Sequence, residues 1–202
     1  MEDIYITILE LARPYYEKGR VYDLDQIDWI IKQAVWLADK LSLDKRILIP
    51  LVILHDVGYA FVPEGNPNVK DQGSKRIHLR EGVKVARKIL KQVNYDPELI
   101  EQIIYFISVH DNWVFGDDQP YRESKLLSLF NDLDFLYAQS SYEVFKYHGD
   151  SMGIPVGKMH DFWMHDEKLK RRPFCCPETK ALFEDFMNQR KLEIDKKNAR
   201  SA

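Results

Sequence analysis

Apolar residues recur with a helical period along most of this chain, and nowhere do they alternate as they would in a strand. From Asp3 to Glu17, Ile4, Ile8, Leu11 and Tyr15 share one face, and Lys18-Gly19 offers a stop. Asp23 or Asp25 can cap a second helix whose stripe is Ile27, Ile30, Ile31, Ala34, Leu37, Ala38 and Leu41. Asp44 caps a third, ILIPLVILHDVGYAF, apolar almost all round until it meets His55-Asp56, with Pro50 tolerable only near its first turn. The segment FVPEGNPNVKDQGSK has no periodicity and predicts a loop suited to a lid or a site rim. The helical pattern resumes at Ile77 and again after Asn94, where Asp96 caps and Pro97 takes the first helical position. A further helix, SKLLSLFNDLDFLYAQ, is broken only by Asn131, Asp132 and Asp134. Beyond Ser141 the period weakens around HGDSMGIPVGK, recovers in MHDFWMHDEKLK and closes in PETKALFEDFMNQRKLEIDKK. The fold class predicted is all-α, a single-domain helical bundle over residues 1–202.

Composition narrows the function classes. Apolar residues make up 45% and charged residues 30% of the 202, the balance of a chain that packs a core. The net charge of −3 gives no global basic field, and basic and aromatic residues do not interleave along one stripe, so nucleic acid is disfavoured as a partner. The longest apolar run, Ile47–Leu54, is too short to cross a membrane, and the first residues carry acids where a signal peptide would be basic. Two adjacent cysteines, Cys175 and Cys176, exclude a disulfide framework. A cytoplasmic protein with a small ligand is expected; monomer and homodimer both stay open.

The candidate chemistry lies where polar groups interrupt apolar helices. His55 and Asp56 end one such run, His78 begins the next helix, His110 ends another, and Asp134 sits inside a fourth. A single buried histidine or aspartate is more often a hydrogen-bonded core residue. Imidazoles and carboxylates from separate helices of a bundle are, taken together, the usual supply of a transition-metal site.

The order His-Asp, His, His, Asp, with LVILHDVGYA, HLREGVKVARKIL, YFISVHDNW and NDLDFL around it, resembles the HD-domain superfamily of metal-dependent phosphohydrolases. The resemblance spans roughly residues 20–140, which makes residues 141–202 a C-terminal helical extension covering the site. It implies one or two divalent ions, with Mn, Fe, Ni, Co, Zn and Mg not distinguished. His55, Asp56 and Asp134 would serve one ion, and Asp56 would bridge to a second on His78 and His110. Asp132 would stand one layer behind. The family's first histidine has no counterpart, because no histidine precedes His55; the helix-two stripe places Gln26 there, a neutral and weaker ligand, with Asp25 and Asp28 as neighbours.

The activity implied is hydrolysis of a small phosphate ester, phosphodiester or nucleotide anhydride, so a phosphorylated small molecule, nucleotides included, is the expected partner. Asp56 and Asp111 are candidate catalytic carboxylates, Asp111 as general base, the bland alternative being a helix-end residue facing solvent. Arg80, Lys75-Arg76, Lys158 and the run KLKRRPF are candidate phosphate contacts, with Arg80 foremost. His148, His160 and His165 fall outside the motif order, and Trp29, Trp113 and Phe115 read first as core. Two rivals remain: a degenerate module that binds metal or nucleotide without turnover, and a di-iron oxygenase on the same fold.

Overall fold

The computed structural model describes residues 2–20, 23–63 and 71–201. Among them every regular element is helical: α1 (Asp3–Lys18), α2 (Asp23–Leu41), α3 (Lys45–Leu54), α4 (Gln72–Gln92), α5 (Pro97–Val109), α6 (Gln119–Glu123), α7 (Lys125–Tyr137), α8 (Tyr142–Met152), α9 (Val156–Met164), α10 (Glu167–Arg171) and α11 (Pro177–Ser201). Two 3-10 turns, Val57–Phe61 and Asn112–Phe115, follow α3 and α5. No described helix is long and apolar enough to cross a membrane. The chain divides into two compact units, residues 1–120 and 121–202.

The first unit is built around α3. Every residue from Ile47 to Leu54 is buried, and α1, α2 and α5 pack around it with the stripes Tyr5, Ile8, Ala12, Tyr16, then Ile27, Ile30, Ala34, Leu37, then Ile100, Ile103, Ile107. Pro50 lies in the interior of α3, where the pattern had allowed it only near the first turn. Its missing N–H leaves the Arg46 carbonyl without the usual i+4 donor, and the Tyr95 hydroxyl donates to that carbonyl instead, at 2.7 Å. Asp44 caps the helix by accepting from the Arg46 N–H.

The α-helix ends at Leu54, so His55 and Asp56 form the link to the first 3-10 turn rather than its continuation. Two contacts hold this break. The Tyr16 hydroxyl donates to the Ile53 carbonyl at 2.9 Å. Gly58 then lies flat against α4: a Cβ there would stand 2.0 Å from the His78 carbonyl oxygen and 2.6 Å from the Gly82 nitrogen. Both obstacles are backbone and cannot rotate away. Gly58→Ala is therefore expected to push the turn off α4 and lower stability by about 1–3 kcal/mol, read as a drop in thermal midpoint. A midpoint equal to that of the unsubstituted chain would show that the approach is looser than described.

Helix α4 starts at Gln72, ahead of Ile77 where apolar periodicity begins, because Asp71 caps it by accepting from the Ser74 N–H at 2.7 Å. The middle of the expected loop, residues 64–70, lies outside the described residues, and the lid expectation with it. In the second unit α11 packs on α7, α8 and α9, and Phe135, Trp163, Phe174 and Phe183 form its aromatic core. The weakly periodic stretch after Ser141 is helical: Ser141 caps α8 by accepting from Val144, and Gly153, at φ +67°, turns the chain into α9.

Candidate metal centre

Two helix ends and the interior of a third helix in the first unit bring their polar residues to one point. Asp56 follows α3, His78 stands one turn inside α4, and His110 closes α5. One oxygen of Asp56, Oδ1, lies 3.3 Å from His78 Nε2 and 3.6 Å from His110 Nε2, and the two imidazole nitrogens are 3.2 Å apart. All three side chains are buried.

The fit to a divalent ion follows from these edges. Bonds of about 2.0–2.1 Å to imidazole nitrogen and carboxylate oxygen give donor–donor edges of about 2.9 Å in octahedral and about 3.4 Å in tetrahedral coordination. The observed 3.2, 3.3 and 3.6 Å lie around that range. Tautomers point the same way. His110 Nδ1 is 2.8 Å from the Ile107 carbonyl, which can only accept, so Nδ1 carries the proton and a neutral His110 offers a lone pair at Nε2. His55 is fixed identically by the Val52 carbonyl at 2.8 Å. Burial holds the His78 imidazole down to about 4, so it is neutral near pH 7. Lone pairs and a carboxylate oxygen converging in a buried space are an arrangement that a cation satisfies.

The other oxygen of Asp56 faces a different set. Oδ2 lies 3.4 Å from His55 Nε2 and 3.8 Å from the Arg20 guanidinium. Burial works to raise the Asp56 carboxyl, but the surrounding His55, His110 and His78 hold it well below the usual range. Arg20 is itself held by Asp23, 3.2 Å from its Nε, and packs 4.4 Å from the Tyr59 ring centroid. Tyr59 in turn stacks on His78, centroids 4.1 Å apart and planes within 16°. Gly19 makes this placement possible, since a Cβ there would meet the Ala60 nitrogen at 2.7 Å.

Asp111 is buried beside the cluster, its Oδ2 3.5 Å from His78 Nε2 and 3.6 Å from His110 Nε2. That oxygen accepts from the buried Lys75 ammonium, and Oδ1 accepts from the Trp113 indole at 3.2 Å. Burial would raise the Asp111 carboxyl, but Lys75 and the histidines drive it far below the carboxylate range. A carboxylate so stabilised in its charged form is a weak proton acceptor. Arg80 is 66% exposed and pairs with Glu81 at 2.8 Å. Gln26 is buried on α2. Asp134 lies half-buried on α7 in the second unit.

The second unit takes up the other polar residues that interrupt α7. Asp132 accepts from the Lys168 ammonium, from the Cys175 N–H at 2.8 Å and from the Thr179 hydroxyl at 2.8 Å. Asn131 accepts from Arg172 at 3.1 Å. Lys168 and Arg172, taken from the sequence as candidate phosphate contacts, are thus buried structural cations.

Sequence reasoning passed over Arg20 and Tyr59. Nothing local marks either one; only the close approach of Gly19 to the turn after α3 brings them to the site. Lys75 carried a weak signal, standing one helical turn before His78.

The HD domain family model matches residues 30–135, more than half of the chain, and the protein belongs to the HD-domain family. The match takes in His55, Asp56, His78, His110 and Asp134 and begins after Gln26. No curated protein and no solved structure matches the chain.

Proposed function

We propose that this protein is a metal-dependent phosphohydrolase acting on a small phosphate ester, phosphodiester or nucleotide anhydride. The observation that supports it most is the buried meeting of Asp56 Oδ1, His78 Nε2 and His110 Nε2, in a chain of the HD-domain family. A divalent ion on these three atoms would acidify water and offset charge on phosphoryl oxygens. The chain's own residues prepare that place. Asp56, kept ionised, supplies the negative charge; the Ile107 carbonyl orients His110, and Tyr59 fixes the plane of His78. Lys75 holds Asp111 away from proton transfer and adds a fixed positive charge beside the histidines, where an anionic group would be drawn.

Gln26 in place of the first histidine favours a second reading, a module that binds metal or nucleotide without turnover. One experiment separates the two. Phosphate release is followed over a panel of nucleotides and simple phosphate esters, with manganese, cobalt, nickel or iron added and with a chelator as control. Chelator-sensitive release from at least one compound is expected. Metal bound with no release from any compound would overturn hydrolysis in favour of the binding module, and oxygen uptake in the iron sample would point to the oxygenase.

A further inference from the structure

The two oxygens of Asp56 meet unlike surroundings, and the difference bears on how many ions the centre holds. Oδ1 faces two imidazole nitrogens at 3.3 and 3.6 Å, a three-donor set. Oδ2 faces one imidazole, His55, at 3.4 Å, and a guanidinium, Arg20, at 3.8 Å. We infer that the centre is mononuclear, and that Arg20 is a built-in cation taking the place of a second metal ion on the Oδ2 side of Asp56. This rests on the metal centre proposed above.

The placement of Arg20 is over-determined by the structure. Its Nε is 3.2 Å from the buried Asp23, and its guanidinium packs against Tyr59, which is stacked on His78. Moving it aside would leave the Asp23 carboxylate buried without that cation, a costly change. Arginine also keeps its charge at any pH the protein meets, so the positive charge there is permanent.

A second divalent ion bridging Oδ2 and His55 Nε2 would have bonds of about 2.0–2.2 Å. With Oδ2 only 3.8 Å from Arg20 Nη1, that ion could stand no farther than about 6 Å from the guanidinium nitrogen, in a buried site that screens charge poorly. The like charges repel. The resemblance also implies a further imidazole donor at the position that Gln26 takes in the helix-two stripe, and a neutral amide is a weaker ligand. Asp56 is meanwhile balanced without a second ion: a guanidinium serves one oxygen, and two imidazoles flank the other.

The test counts ions and needs no activity. The full chain is equilibrated with excess manganese, freed of unbound metal and analysed for manganese per chain, with electron paramagnetic resonance used to detect a spin-coupled manganese pair. The wild type and Arg20→Lys, which keeps the charge, are expected to hold one ion each and show no coupled pair. Arg20→Gln combined with Gln26→His is expected to hold two and to show the coupled signal. Two ions in the wild type would overturn the inference while leaving the hydrolase reading intact. One ion in the double variant would also overturn it, since Arg20 would not be what bars the second. So would two ions in Arg20→Lys, because charge would not be the cause. No ion in the double variant, with one in the wild type, would make Arg20 a support of the first site and overturn the inference as well. No ion in the wild type would remove the metal centre, and both proposals with it.

Discussion

Asp56→Asn is expected to weaken divalent-metal binding by about 100-fold or more and to bring metal-dependent phosphate release to background, with the helical fold retained. The asparagine keeps the size of the side chain but offers a neutral oxygen where the structure has a carboxylate between His78, His110, His55 and Arg20. Neutral oxygen is a poor partner for a divalent ion, and the lost charge cannot be supplied by Asp111, which Lys75 already holds. Removing the charge also takes the Asp56 carboxylate from Arg20, so some loss of stability accompanies the loss of metal. Calorimetric metal titration of both proteins, with circular dichroism as the control on folding, reads the effect. Wild-type affinity in a folded Asp56→Asn protein would remove Asp56 from the centre, and with it the observation that supports the proposed function most.

The sequence marks some of this centre and hides the rest, for physical reasons that differ residue by residue. His55, Asp56 and His110 each end an apolar helical run, where a polar group must be compensated, so a single sequence flags them. His78 begins an amphipathic pattern and is flagged by its order after the His-Asp pair. Arg20 and Tyr59 carry no such mark, because their roles depend on Gly19 letting α1's end touch the turn after α3, a contact about forty residues apart in the chain. The end of α3 at Leu54 is equally hidden: the sequence reads as one helix through Phe61, and only the Tyr16 hydroxyl and the flat approach of Gly58 show why it stops. Pro50 gives the converse case, a residue that local rules push to the first turn but that the Tyr95 hydroxyl accommodates from outside the helix.

Asp132 shows how a residue beside a motif takes its role from partners that spacing cannot reveal. The resemblance makes it an acidic residue one layer behind a metal. In the structure its carboxylate accepts from three donors, the Lys168 ammonium, the Cys175 N–H and the Thr179 hydroxyl, and both it and Lys168 are 1% exposed. Lys168 also packs 4.0 Å from the Phe174 ring centroid; burial pushes its ammonium down, and Asp132 opposes that push. The anchor ties α7 to α10 and to the start of α11.

Asp132→Ala should therefore lower stability by about 3–5 kcal/mol, because a buried ammonium and an N–H lose this acceptor and the Thr179 hydroxyl loses one of two. For a chain of this size that corresponds to a fall of about 10 °C or more in thermal midpoint. The loss should be the same with chelator as with metal present, since no step of it passes through an ion. Asp132→Leu combined with Lys168→Met removes both charges and should recover much of the loss, though the Cys175 N–H still lacks the Asp132 oxygen, while Thr179 keeps the Cys176 carbonyl at 3.1 Å. A midpoint within about 2 °C of wild type for Asp132→Ala, or a loss that appears only when metal is bound, would show that this carboxylate serves a metal rather than the packing of the second unit.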